Sequence, residues 1–232
     1  SISNYTYKKN RMIETKKKSE LQLFIILTAM FIAALITCNL IANKFVEINL
    51  GFKTFIVSAG ILPYPLTFLI TDILSEVYGR KMTNRVVASG FFASIMVLLF
   101  LWLGSIAPAI QTSPINNETF NLVFSNAWRV IAASMIAYLS AQFLDVRLFH
   151  FWKNLTKGKH LWLRNNASTI GSQLVDTTLV VCVLFIGVWP TGQIIQAIID
   201  GWLFKIMCAF IDTPMFYFLS GYLKKKFDLK IN

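Results

Sequence analysis

The chain has 232 residues, of which 56% are hydrophobic and only 14% charged, with 20 Phe and 6 Trp. A soluble domain carries roughly a quarter charged residues, so this composition, with a mean hydropathy of +0.60, excludes an ordinary water-soluble fold and marks an integral membrane protein. The net charge of +11 would suit nucleic acid. The bases, however, sit in short clusters between apolar runs with no aromatic-interleaved basic face, the pattern of membrane-protein loops.

In chain order, the opening SISNYTYKKNRMIETKKKSE (1–20) is polar and basic and reads as a cytoplasmic leader, partly disordered. A bilayer core needs about 20 apolar residues per helix. Six runs reach that length: about 21–43, 54–78 (broken by Pro63 and Pro65), 84–106, 127–150, 167–189, and one within 193–223. The last is long enough for its start, GQIIQAII, to lie along the outer surface before the helix turns inward. Continuous apolar runs exclude a membrane barrel, whose strands are short and alternating. The long connection IAPAIQTSPINNETFNLVFSN is either a lid or a plain connector. Residues 21–224 therefore read as one transmembrane domain, followed by a basic tail over 225–232.

Lys and Arg counts orient it. The leader holds six, the second connection three (Arg80, Lys81, Arg85), the fourth five (including Lys159 and Arg164) and the tail four; the opposite side has only Lys44 and Lys53. Positive charge stays inside, so both termini are expected in the cytoplasm. The expectation is an all-α, polytopic membrane protein of six transmembrane helices.

Cys38, Cys182 and Cys208 lie far apart inside apolar runs and read as helix-packing residues. His150 and His160 fall in or beside a cytoplasmic loop, and no HExxH, GxSxG or GxxxxGK[ST] pattern occurs. An intramembrane enzyme such as a protease or lipid transferase, an ATP-hydrolysing chain, a metal site and a cofactor are not expected.

The informative residues are charges within spans. Asp72, Glu76, Asp176, Asp200 and Asp212 stand against Arg129 and Lys205. Each costs roughly 2.5–3.5 kcal/mol at the bilayer centre, so such residues face a cavity or a partner. Asp72 and Glu76, four apart, share a helix face, either in a polar chamber or, through Glu76 and Arg80, as a clamp at the cytoplasmic edge. Lys205 and Asp212, seven apart, also share a face, as ligands or as mutual counter-ions. Asp176 stands in SQLVDTT beside Gln173, and Asn39 and Asn43 repeat the four-residue spacing in the first span. Asp200 and Arg129 are expected to be solvated near the outer interface. Pro214 is expected to kink the last helix, and the tryptophans to form an interfacial belt.

TDILSEVYGRK in the second span, WLRNNASTIGSQLVDT entering the fifth and TPMFYF in the sixth resemble signature stretches of the bacterial queuosine-precursor transporter family, also called the vitamin uptake transporter family. The resemblance implies a six-helix inner-membrane importer of 7-deazaguanine bases such as queuine or its precursors. It also implies a helical arrangement like that of energy-coupling-factor substrate-binding subunits. The chemistry agrees, since a carboxylate accepts in bidentate fashion from the ring N–H and exocyclic amine of a guanine-like edge. In this reading Asp176 or Glu76 takes that edge, Gln173 and Asn39 bond the remainder, and Phe68 or Trp128 stacks on the ring. Asp72, Asn43, Lys205 and Asp212 complete the candidate set, and protonation of Asp72 or Glu76 would couple transport to a proton gradient. The alternative is a binding subunit for a separate energising module, docked through the small-residue face of Ala29 and Ala33. A homodimer is compatible with either reading.

Overall fold

The computed structural model describes residues 2–157 and 161–227; Lys159, His160 and Lys230, counted above among loop and tail residues, lie outside them. The chain runs α1 (Ile2–Ile41), β1 (Phe45–Asn49), β2 (Thr54–Ser58), a 3-10 turn (Ala59–Ile61), α2 (Tyr64–Tyr78), α3 (Arg80–Ile106), α4 (Asn117–Phe124), α5 (Ala127–Leu155), α6 (Leu161–Phe185) and α7 (Thr191–Phe227). Six helical segments among the described residues are long and apolar enough to cross a membrane: 17–41, 59–78, 80–106, 117–141, 166–185 and 191–223.

Several expectations need correction. The leader runs into α1, which spans Ile2–Ile41 with no Gly or Pro to interrupt it. The fold is not purely α: residues 54–58, assigned above to the second span, form β2, antiparallel to β1 with Val46 opposite Val57 and Ile48 opposite Phe55. The β-branched and aromatic segments FVEIN and TFIVS suit a pleated strand better than a helix, and Gly51, at φ 85°, makes the turn between them. Pro63 and Pro65 start α2 rather than break a span, as expected where the first helical N–H groups have no partner anyway. The connection from α2 to α3 is Gly79 alone, at φ 82°, so Arg80 and Lys81 belong to the first turn of α3. The long outer connection contains α4, capped by the Asn116 side chain, which accepts from Thr119 N at 2.8 Å. GQIIQAII is no separate surface segment, since α7 is continuous and buries Ile194, Ala197 and Asp200.

Packing divides into three apolar clusters. Leu27 and Phe31 of α1 meet Ile70 and Leu74 of α2 and Val86 of α3. Val130 of α5, Val181 and Leu184 of α6, and Ile194 and Ala197 of α7 form the second. In the third, Phe55 and Val57 of the hairpin pack with Ile61 against Tyr64 and against Leu203, Phe204 and Met207 of α7. Small residues bring backbones together where lipid supplies no hydrophobic drive between helices. Ala133 and Ala137, fully buried on α5, illustrate this. Ala29 and Ala33, by contrast, are exposed on α1.

Gly60 is the tightest contact of this kind. A methyl group there would collide with the Cys38 carbonyl of α1 and sit 3.2 Å from Ala42 Cα, in the turn just after it, both backbone atoms. Gly60→Ala is therefore expected to cost about 1–3 kcal/mol by overpacking, read as a lower melting temperature in detergent. A wild-type melt would show that the turn and α1 have room to separate.

Candidate substrate-binding site

Between the hairpin and the middle of the helices, four polar side chains from three helices meet. Gln173 and Asp176 lie one turn apart on α6, in a row of buried polar residues that includes Ser168, Ser172 and Thr177. Lys205 comes from α7 and Tyr64 from the first turn of α2. Lys205 Nζ donates to Asp176 Oδ2 at 2.6 Å. The Tyr64 hydroxyl lies 3.0 Å from Gln173 Oε1 and 3.2 Å from Asp176 Oδ2, so one proton is shared between two acceptors. The same ammonium stands 4.4 Å from the centre of the Tyr64 ring, and Phe68 meets that ring edge-on at 4.6 Å. The side chains of the ion pair are only 11% and 12% exposed. A pair so enclosed persists because each ion has the other and further polar contacts; removing either partner leaves a buried charge.

This pairing answers one of the open alternatives: Lys205 is the counter-ion of Asp176 on the neighbouring helix, not of Asp212 on its own. Asp200 also departs from expectation. It is 1% exposed rather than solvated, holding Lys53 at 2.5 Å and accepting from Ile56 N at 3.1 Å, so it ties α7 to the hairpin. Arg129 is half-buried, and its Nε donates to the Val183 carbonyl at 2.9 Å.

The structure thus brings together Asp176, Gln173 and Lys205, with Phe68 against them through Tyr64. Asn39 is 6% exposed near the end of α1, next to Cys38, whose carbonyl abuts Gly60. Asn43, one turn on, is exposed. Asp72 and Glu76 are exposed along α2 and Asp212 is half-buried on α7; neither Asp72 nor Asp212 bonds to the Asp176 group. Trp128 is 61% exposed on α5 and does not stack in the group. The residue that sequence reasoning missed is Tyr64. Its signal was spacing, since Tyr64, Phe68, Asp72 and Glu76 recur every fourth residue on one face of α2.

A cleft of about 60 Å³ opens beside the group between α6 and α7, lined by Asn166, Thr169, Gln173, Lys205 and Thr213 among others. It leads away from the hairpin, toward the start of α6 and the end of α7. Small-molecule sites commonly have about 300–1,000 Å³, so this cleft is small by comparison.

The profile of the family described as "Putative vitamin uptake transporter" matches residues 58–219, which include Tyr64, Gln173, Asp176 and Lys205. The chain belongs to the vitamin uptake transporter family. It is a multi-pass membrane transporter rather than an enzyme. It is 30% identical over 159 residues to the "Probable queuosine precursor transporter" of Bacillus subtilis (strain 168), covering 68% of this chain and 69% of that one. It is 24% identical over 202 residues to the "Queuosine precursor transporter" of Escherichia coli (strain K12), covering 80% and 82%. No solved structure matches the chain significantly.

Proposed function

We propose that this transporter imports queuosine precursors, bases of the 7-deazaguanine type, across the bacterial cytoplasmic membrane with both termini inside. The observation that carries the reading is the buried Asp176 carboxylate held between Lys205 and Tyr64 in the middle of the bundle. Among the described residues its bonds fall on Oδ2, so the carboxylate keeps acceptor capacity for a ring N–H and an exocyclic amine. Gln173 supplies a side-chain amide beside it, and Phe68 an aromatic face. The relatives named as queuosine precursor transporters point to the same substrate class.

The test is thermal stabilisation of the purified protein by a panel of bases. A ligand that binds only the folded form adds about 2.7 kcal/mol at a hundred times its Kd. 7-Deazaguanine is expected to raise the melting temperature, whereas 7-deazaadenine, biotin and riboflavin are not. Stabilisation by one of the vitamins and not by 7-deazaguanine would refute the assignment.

A further inference from the structure

Of the four polar residues in the group, Gln173 and Lys205 line the α6–α7 cleft. A ring arriving through that cleft therefore meets the Lys205 ammonium before the carboxylate behind it. The ammonium has three N–H donors. One is committed to Asp176 Oδ2 at 2.6 Å, and the Tyr64 ring covers one side of the group at 4.4 Å. The pair accordingly presents a donor next to an acceptor, held at one hydrogen-bond length. A guanine-type ring presents the complementary order on one edge: a carbonyl acceptor, then a ring N–H, then an amine.

We infer that Lys205 is a specificity-determining residue, donating to the ring carbonyl of a base whose N–H and amine edge pairs with Asp176. The inference rests on the base-binding reading above and adds the group that recognises the carbonyl. It assigns Lys205 two roles. In the empty site it neutralises Asp176; in the occupied site it keeps one N–H on the carboxylate and turns another to the substrate. The pair is neutral in both states, so an uncharged ring enters without leaving a buried ion unpaired. A ring carrying an amine in place of the carbonyl would set donor against donor, the kind of mismatch that excludes a wrong ligand.

The test uses the full chain in detergent and two ligands, 7-deazaguanine and its 6-thio analogue. The analogue keeps the ring N–H and amine but offers sulfur, a weaker acceptor, at the position in question. The wild type is expected to bind the oxo form about tenfold more tightly, as befits a charge-assisted hydrogen bond. Lys205→Met should bring the two affinities within about twofold. Lys205→Gln, which keeps a neutral donor and relieves the variant of a missing polar group, should give an intermediate ratio. Equal weakening of both ligands with the wild-type ratio preserved, in whichever variant folds, would reduce Lys205 to a counter-ion and overturn the inference. Failure of the wild type to bind 7-deazaguanine at all would instead overturn the base-binding proposal, and this one with it.

Discussion

Asp176→Asn is expected to lower uptake at least about 100-fold, equivalent to about 2.7 kcal/mol, with the protein still inserted in the membrane. The substitution keeps one acceptor oxygen but replaces the other with an amide NH2, which only donates. It therefore cannot accept from two adjacent donors of a substrate edge, and it removes the anion facing Lys205 Nζ. The stability cost has a separate origin. An ammonium only 11% exposed loses its counter-ion, and breaking a buried pair costs about 3–5 kcal/mol, less the contribution of the amide oxygen that still accepts. The two effects separate in the double variant Asp176→Asn/Lys205→Gln, whose neutral pair should recover much of the melting temperature and none of the transport. Uptake of labelled substrate, normalised to membrane content by immunoblot, measures the first effect; thermal denaturation measures the second. Wild-type transport by the single variant would remove Asp176 from the site.

Lys53→Met is expected to be the most destabilising change outside the substrate site. Asp200 is 1% exposed, and its carboxylate has Lys53 at 2.5 Å and the Ile56 N–H at 3.1 Å. Without the lysine, the charge stays buried with one hydrogen bond. The cost is placed near about 3 kcal/mol, the low end for a broken buried pair, because the Lys53 side chain is 37% exposed and partly screened. Asp200→Asn keeps an acceptor for Ile56 N–H and removes the charge, so it should cost only about 1 kcal/mol. Combined, Lys53→Met/Asp200→Asn should melt above Lys53→Met alone. Because the hairpin packs on Tyr64 as well as on α7, Lys53→Met should also weaken transport without touching the polar group. A Lys53→Met melting temperature equal to wild type would show that Asp200 does not hold the hairpin.

Asp176 stood out in the sequence because an acid flanked by Gln173 within an apolar run has no inexpensive explanation. The spans were legible for a related reason: the bilayer demands unbroken apolar length, and composition records that length directly. TFIVS was misassigned because a short apolar run reads equally well as the start of a helix or as a strand. Only its pairing with FVEIN distinguishes them.

Partners were the part that remained hidden. Along α7, Asp212 is the acid that shares a face with Lys205, yet the ammonium reaches across to Asp176 on α6. Asp200 falls where an outer helix end would meet water, yet a strand 144 residues away covers it. Tyr64, between two prolines, was passed over, and only the placement of α6 gives its hydroxyl Gln173 and Asp176 as acceptors. The chain by itself therefore determined what belongs in lipid and what needs shelter from it: six apolar segments, and a few ionisable side chains that are costly to expose there. Which group shelters which was decided by tertiary structure alone, because a short-range contact between helices depends on their relative rotation and depth, and spacing within one helix carries no record of either.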